Sequence, residues 1–321
     1  MSRVARLCVA LLVIAFAAVP AFAQGTNGAL IGKVMDEQGL PLPGVSVTAV
    51  NQQTGFQRSA QSDATGAYTI NGLPVGRYDV KSSLRGFAAQ TAKGVAVNVS
   101  ATTAVEFRLT VAAQSEEVTV MAEAPLIDTK DSGVGELITA TQIENLPLNG
   151  RQFANLAALV PGVSLGFHTD PTKSTQFAPQ VAGGGGRNIN YLIDGGDNND
   201  DTVGGLVQLF PLDSIGEFNF ETQRFRADTG RANGGTIKVV TKSGTNDLRG
   251  AAFDLFRDRS LNGRTTTEKN NNAPKGEYRK HQYGASLGGP IVRDRTHFFA
   301  AFERIQQDTT QSVNTRGLFP D

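Results

Sequence analysis

Hydrophobic and polar residues alternate in many short runs of this chain, and turns rich in glycine and proline separate the runs. In one typical run, Val45, Val47 and Ala49 alternate with Ser46 and Thr48. A spacing of two residues predicts a β-strand that buries one face. Such runs, punctuated by turn residues every 8–12 positions, predict strands joined by tight turns.

Seven runs of this kind fall between residues 24 and 112. Seven short strands in so small a segment predict an antiparallel β-sandwich. The predicted strands are Ala29–Met35, Val45–Val50, Phe56–Gln61, Ala67–Ile70, Arg77–Ser82, Thr91–Val99 and Thr103–Leu109.

The pattern changes between residues 125 and 245, where helices and strands are both predicted. Thr139–Glu144 predicts a short capped helix that ends before Pro147. Asn149 is predicted to cap a second helix, in which apolar residues recur at i, i+3, i+4 and i+7. These apolar residues are Phe153, Leu156, Ala157 and Val160. Strands are predicted at Ile189–Asp194, Gly216–Gln223 and Gly235–Thr241. The segment is therefore expected to be an α+β domain.

Alternation returns after residue 245. Between Gln282 and Gly288, one face carries Tyr283, Ala285 and Leu287, and the other carries polar or small residues. Two-faced strands of about ten residues are the signature of outer-membrane β-barrels. Similar strands are predicted at Ala251–Phe256 and Thr296–Glu303, with Arg257–Lys280 as a long extracellular loop and Pro290–Arg295 as a short periplasmic turn. A soluble β-meander is the alternative.

The first 23 residues have the features of a cleaved secretory signal peptide. Arg3 and Arg6 precede an apolar run of 13 residues, Leu7–Val19, and the small-residue site Ala21–Ala23 follows. A membrane anchor is the alternative, but spanning takes about 20 apolar residues. The single cysteine, Cys8, falls in this segment, so the mature chain is expected to lack disulfides and thiolate metal sites.

Composition narrows the functional classes. The 30 basic and 30 acidic residues balance, so no basic excess indicates nucleic-acid binding. Hydrophobic residues make up 40% of the chain, which argues against global disorder. The 36 glycines and few charges favour a mainly β fold.

Motifs in the first segment resemble the carboxypeptidase regulatory-like domain. They are Gly32–Val34, Pro43–Val47, Asp63–Tyr68 and Leu73–Val80. The resemblance implies a transthyretin-like, carbohydrate-binding-like sandwich over residues 24–112 that is not itself catalytic.

Motifs in the second segment resemble the plug domain of TonB-dependent outer-membrane receptors. They are Asn145–Arg151, Val160–Val163, Gly186–Gly195, Ile215–Phe218 and Asn233–Gly244. Together with the sandwich, they point to the Oar-like subgroup. The resemblance implies a plug over residues 125–245 that occludes a barrel pore until an external substrate binds and a periplasmic transducer of the TonB type acts.

A short β-branched segment lies in the predicted linker, residues 113–124. It resembles a TonB box, which would dock to the transducer by adding a strand to a sheet edge. The docking residues are predicted to be Glu116, Glu117, Val118, Thr119 and Val120. An ordinary linker or a terminal strand is the alternative.

Two polar loops are the candidate substrate contacts at the outer end of the plug. The first comprises Gly183, Gly184, Gly185, Gly186, Arg187 and Asn188, and the second includes Asp194, Asp197, Asp200 and Asp201. The glycine loop lacks the phosphate-binding signature G-x-x-x-x-G-K-[ST]. The acidic loop offers oxygen ligands suited to calcium but not the EF-hand spacing.

No catalytic residue, metal site or cofactor is predicted. Gly284–Gly288 matches the G-x-S-x-G motif, but Pro290 follows where a helix would have to begin. Two alternatives stay open: a carbohydrate-binding module that uses sandwich aromatics, and a calcium-dependent surface adhesin. The substrate is not predicted.

Strand counting predicts that the chain is an N-terminal fragment. Plugged transporters have about 22 strands of about 9–11 residues each. Residues 246–321 hold three or four such strands, so the fragment alone is expected not to transport. The expected location is the outer membrane of a Gram-negative-type bacterium, in contact with lipid.

Overall fold

The computed structural model describes residues 26–111, 117–121, 134–167, 177–181, 188–223 and 230–309. The predicted signal peptide lies outside these ranges. Most of the described residues form strands, which confirms the mainly β fold. No helix in these ranges is both long and apolar enough to cross a membrane.

The first module, residues 26–111, is a sandwich of two sheets. Its strands are β1 (Gly28–Asp36), β2 (Ser46–Asn51), β3 (Gln57–Gln61), β4 (Ala67–Leu73), β5 (Gly76–Ser83), β6 (Ala89–Val97), β7 (Thr102–Ala104) and β8 (Phe107–Leu109). One sheet has the order β4-β1-β7, with β8 also on β1, and the other includes β3-β2-β5-β6. The alternating apolar residues meet between the sheets, where Val47 and Tyr78 are fully buried.

The last predicted strand, Thr103–Leu109, is two strands in the structure. Both β7 and β8 pair with β1 in parallel, and Val105 lies between them. Val105 donates its N–H to Ile31 O at 2.8 Å. A Cβ atom at Gly32 would lie 1.7 Å from Val105 O, so this close approach requires glycine. The sandwich therefore has eight strands where the sequence predicted seven.

A further strand, β9 (Glu117–Met121), extends the second sheet at its β6 edge. It runs parallel to β6, with partners from Ala89↔Glu117 to Lys93↔Met121. The alternative to a docking segment was an ordinary linker or a terminal strand. In the structure, Glu117–Met121 form a terminal strand of the sandwich sheet.

The second module is α+β. Its main sheet has the order β10-β15-β16-β13-β14. Strands β13 and β16 are parallel, and the other pairs are antiparallel. A separate hairpin pairs β11 with β12. The strands are β10 (Val134–Thr139), β11 (Val163–Phe167), β12 (Phe177–Val181), β13 (Ile189–Ile193), β14 (Gly196–Asp197), β15 (Ile215–Gln223) and β16 (Gly235–Thr241).

The helices of this module are short. Helix α1 (Ala140–Asn145) begins with a capping box between Thr139 and Gln142, as the capped-helix prediction required. The predicted second helix is a 3₁₀ helix, Phe153–Leu159, and its N-cap is Gln152. Asn149 belongs to a separate turn, so its predicted capping role is wrong.

The predicted helix begins late because Gly150 and Arg151 have positive φ values, 73° and 53°, which a continuous right-handed helix cannot include. The four residues predicted to form its apolar face are nevertheless all buried. A further 3₁₀ turn, Leu212–Ser214, precedes β15.

The third region is a three-stranded antiparallel sheet of order β17-β18-β19. Its strands are β17 (Arg249–Asp258), β18 (Tyr278–Val292) and β19 (Thr296–Thr309). The turn between β18 and β19 is shorter than predicted, because β18 continues through Pro290. The predicted extracellular loop contains a 3₁₀ turn, Arg259–Leu261, and helix α2 (Thr266–Asn270). The three strands do not close on themselves.

Candidate functional site

The polar face of β18 is covered by the α+β module. Gln282 on this face is only 2% exposed. Its Nε2 donates to Gly150 O at 3.3 Å and to Glu303 Oε1, on β19, at 2.6 Å. A buried amide needs such partners, because burial of a polar group without a hydrogen bond costs free energy. The contact therefore joins the second module to the three-stranded sheet.

Arg151 is the centre of this junction. Its Nη2 lies 2.7 Å from Asp213 Oδ1, and its Nε lies 3.9 Å from Glu303 Oε2. Its guanidinium carbon lies 4.1 Å from the ring centroid of Phe253 on β17, a cation–π contact. Arg151 Nε and Glu303 Oε2 are buried and have no hydrogen-bond partner among the described residues. Their attraction is therefore electrostatic only.

On the opposite face of the three-stranded sheet, large apolar side chains are exposed, and no described residue covers them. Tyr283, Leu287 and Phe302 are 37%, 48% and 59% exposed. The outer face around Leu287 and Phe302 is therefore mainly apolar, and Gln282 and Glu303 face the α+β module. Asp254 and Arg304, the register partners of Tyr283, share the outer face, and Phe253 lies on the inner face against Arg151. This arrangement matches the two faces that the sequence predicted for β18 and β19.

The sequence did not predict that the junction residues contact one another. Sequence reasoning quoted Arg151 inside the motif Asn145–Arg151 and placed Gln282 and Glu303 on the polar faces of predicted strands. The available signal was a conformationally demanding Gly-Arg pair and a long polar side chain in the middle of an alternating strand. Only the packing of the two regions shows that these residues meet.

The acidic loop after β13 is held by its own hydrogen bonds. Asp194 accepts from Thr241 N at 2.9 Å and from Thr241 Oγ1 at 2.7 Å. Asp200 Oδ1 accepts from the N–H groups of Thr202 and Val203 at 3.0 and 3.2 Å, as in an Asx turn. These two carboxylates therefore stabilise the loop itself.

The other two acidic residues pair with Arg231. Its guanidinium contacts Asp197 and Asp201. Partial burial acts to raise the pKa of Asp197, but hydrogen bonds from Asn199 and the Arg231 charge hold that pKa below its usual value. A cavity of about 100 Å³ lies between the loop and Arg231. Its lining is mainly polar and includes Asn199, Asp200, Asp201 and Arg231.

These contacts bear on the calcium alternative. Each of the four acidic side chains already accepts a hydrogen bond or forms an ion pair with Arg231. Within the described ranges, no group of three or more His, Cys, Asp or Glu side chains could hold a metal ion.

Most of the predicted glycine loop lies outside the described residues. Gly183, Gly184, Gly185, Gly186 and Arg187 lie outside the described residues. Asn188 directly precedes β13, and its carbonyl oxygen accepts from Gly234 N at 2.9 Å. Of the predicted docking residues, Glu116 lies outside the described ranges, and Glu117, Val118, Thr119 and Val120 form most of β9.

Charged side chains are buried on one face of the α+β sheet. Lys238 and Glu221, 3% and 6% exposed, form an ion pair with Nζ 2.8 Å from Oε1. Glu217 Oε2 accepts the backbone N–H of Val99, in the first module, at 3.0 Å. Burial raises the pKa of Glu217 to about 7, although the hydrogen bond from Val99 opposes this shift. Sequence reasoning did not identify this contact between modules.

The sandwich aromatics serve mostly as core. Tyr68, Tyr78 and Phe107 are at most 3% exposed, and Phe87 packs against the same core. Phe56 is 37% exposed. Sugar stacking needs an exposed aromatic face, and among these five residues only Phe56 offers one.

Family models match two parts of the chain. A family model described as a carboxypeptidase regulatory-like domain matches residues 29–110. A second, described as an outer membrane beta barrel domain, matches residues 240–320. The TonB-dependent transporter Oar of Myxococcus xanthus is 27% identical over 295 residues, which cover 88% of this chain and 27% of that protein. The chain thus spans about a quarter of the length of this relative.

Two solved structures illustrate the structural likenesses. The ferric enterobactin receptor PfeA of Pseudomonas aeruginosa, a mutant in complex with enterobactin, has 18% identity and a TM-score of 0.41, over 56% of this chain and 26% of that one. Catechol 1,2-dioxygenase of Pseudomonas arvilla C-1 has 15% identity and a TM-score of 0.25, over 30% of this chain and 55% of that one. The resemblance to Oar-like TonB-dependent receptors is confirmed by the sequence matches.

Proposed function

We propose that the chain is the N-terminal part of a TonB-dependent outer-membrane receptor, which binds an external substrate and admits it by energy-coupled movement of a plug. The observation that carries this proposal is the polarity of the sheet β17–β19. Its polar face contacts the α+β module through Gln282, and its apolar face, with Leu287 and Phe302, is uncovered. A barrel wall around a plug in lipid has this polarity.

In this proposal, residues 24–112 are a regulatory-like sandwich, residues 113–124 a docking linker, residues 125–245 the plug and residues 246–321 the first barrel strands. The protein lies in the outer membrane after its signal peptide, residues 1–23, is removed. Transport requires a closed barrel, because unpaired strand edges are not stable in hydrocarbon. The activity is binding and translocation, with no catalytic step.

The junction at Arg151 suits a plug that must move. The 3.9 Å contact to Glu303 involves no hydrogen bond, whereas the 2.7 Å contact to Asp213 stays within the plug. Arg151 can therefore leave the barrel wall while it keeps its partner in its own module. Substrate contact is proposed at the cavity beside Arg231 and in the glycine loop, and the substrate class stays open.

The membrane topology can be tested with single cysteines at adjacent positions. We expect a spin label on Phe302→Cys, in outer membranes that contain the receptor, to be accessible to oxygen, which partitions into lipid, and shielded from a water-soluble nickel chelate. A label on Glu303→Cys is the matched control, because its side chain faces the plug. Nickel accessibility at position 302 equal to that of an exposed loop position, such as Gly263→Cys, would refute the membrane orientation.

The docking role is tested separately by deletion of residues 116–120. We expect this deletion to abolish crosslinking to the periplasmic domain of the transducer, because the extended backbone of the segment supplies the pairing groups. A deletion of equal length within residues 122–133 is the control. Undiminished crosslinking after deletion of residues 116–120 would remove the docking proposal.

A further inference from the structure

We infer that the sandwich presents the docking segment as an ordered edge strand, so that the transducer adds its own strand to the free outer edge of β9. This inference rests on the docking role proposed above and concerns how that segment is held. The partner is a β-strand that carries basic residues at one end. The resulting sheet would run continuously from the sandwich into the transducer.

Strand β9 lies at one end of its sheet. In the order β3-β2-β5-β6-β9 it pairs with β6, and no other described strand pairs with it. The five residues of β9, four of which belong to the docking segment, pair with Ala89–Lys93 of β6. The backbone of the segment is therefore already extended, and its second row of backbone groups faces outward, as at any sheet edge.

The two edges of this sheet differ in sequence and in contacts. The opposite edge, β3, reads Gln-Arg-Ser-Ala-Gln and is polar and largely exposed. Its Arg58 donates to Asn71 O and Gly72 O at 2.5 and 3.1 Å, which ties this edge to the other sheet. Strand β9 reads Glu-Val-Thr-Val-Met, with three consecutive β-branched residues and no proline, glycine or lysine. The edge β3 is thus tied to the other sheet, whereas β9 offers an edge whose single charged residue is Glu117.

The route of the chain into β9 brings the segment next to β6. The carbonyl of Thr110 accepts the N–H of Ala88 at 2.9 Å, and Val111 bridges to Phe87. The chain is thus fixed beside the start of β6, and only residues 112–116 connect this point to β9. A short tether keeps the segment at a high effective concentration next to β6. The sandwich therefore holds the strand without help from a partner.

The charge of the docking segment and its ordered backbone both favour addition of a basic partner strand. The docking segment begins with two adjacent acidic residues, Glu116 and Glu117, so a partner strand with lysine or arginine at the matching end is complementary. Strand addition to a flexible linker must first order that linker. A strand that is already paired with β6 has lost this freedom, so the transducer binds a pre-organised edge.

A disulfide between β6 and β9 tests the inference in the whole chain. Lys93 and Met121 are partners in the parallel register, and Lys93 is exposed. Neighbouring strands lie about 5 Å apart, within the Cα separation that a disulfide accepts. Lys93→Cys with Met121→Cys is made in a Cys8→Ala background, and Lys93→Cys with Val120→Cys is the control that is out of register.

We expect the in-register pair to oxidise in at least about fivefold higher yield than the control pair. The oxidised chain should bind the purified periplasmic domain of the transducer at least as tightly as the reduced chain. Equal yields from the two pairs would overturn the inference, and so would loss of binding on oxidation that reduction restores, since the segment would then have to leave β6 to dock. If deletion of residues 116–120 leaves binding unchanged, the docking role itself fails instead.

Discussion

The sandwich and the three-stranded sheet are built from the same alternation of apolar and polar residues but assign the two faces in opposite ways. In the sandwich, Tyr78 and Phe107 are at most 2% exposed. In the sheet β17–β19, Phe302 is 59% exposed, whereas the polar Gln282 is 2% exposed. A period of two therefore defines two faces but not which of them the protein covers.

The two sheets bury different faces because their faces are in contact with different surroundings. Apolar surface is removed from water in the sandwich by the second sheet. In the open sheet the apolar face has no protein cover, and the polar face finds hydrogen bonds in the α+β module. The α+β module resembles the sandwich in this respect, because its side chains are buried by other parts of the protein. Even the charged side chains of Lys238 and Glu221 are buried there. The following predictions test this contrast in free energies of unfolding.

The largest effect is expected from truncation of a covered aromatic residue. Phe107→Ala should lower the free energy of unfolding by about 4 kcal/mol, because it opens a cavity in the sandwich core. Phe302→Ala, in the open sheet, should change it by less than about 0.5 kcal/mol in detergent-free solution. Urea unfolding followed by circular dichroism measures both. Similar losses in the two variants would contradict the contrast.

The next effect concerns a covered ion pair. Lys238→Met should cost at least about 3 kcal/mol, because it leaves the Glu221 carboxylate buried and unpaired. The double variant Glu221→Leu, Lys238→Met should recover most of that loss. In the open region, Arg249→Met removes a pair whose side chains are both 70% exposed, and it should cost less than about 1 kcal/mol. A double variant no more stable than Lys238→Met would show that this face is not covered.

A smaller effect is expected from an added methyl group. Gly32→Ala should cost about 2 kcal/mol, because its Cβ would meet Val105 O at 1.7 Å and force β7 and β8 away from β1. Gly263→Ala, in the loop between β17 and β18, has no atom within 4 Å of its added Cβ and is the control. Thermal unfolding by calorimetry would compare them, and equal midpoints for Gly32→Ala and the unmodified chain would disprove the close approach.

The smallest effect depends on pH. The pKa of Glu217 is raised from its ordinary value of 4.5 to about 7 in the folded protein. The folded state therefore keeps a proton that the unfolded state releases, and stability should fall as pH rises from about 4.5 to 7. Glu217→Gln should be more stable than the unmodified chain at pH 8, by roughly 1–2 kcal/mol.

The Glu217→Gln difference should vanish near pH 4, where the glutamate is protonated in both states. Urea unfolding at the two pH values measures it. A difference that is independent of pH would mean that Glu217 is not covered by the loop at Val99.

The sequence predicted more of the fold than of the site. Turn residues and spacing located most strands to within a few residues, and the capping box at Thr139 located helix α1. The second helix was displaced because positive φ at Arg151 is not readable from apolar spacing. The acidic residues Asp197 and Asp201 were named as ligand contacts, but their pairing with Arg231, more than 25 positions away, depends on the packed loop.

By itself, the sequence determined the mainly β fold, the order of its modules and the two faces of each strand, because these depend on local periodicity and turn chemistry. Tertiary structure alone decided which faces are covered, that β9 pairs with β6, and that Arg151, Gln282 and Glu303 meet. These features join residues far apart in the chain. Their energies come from burial and electrostatics between elements, which no local pattern encodes.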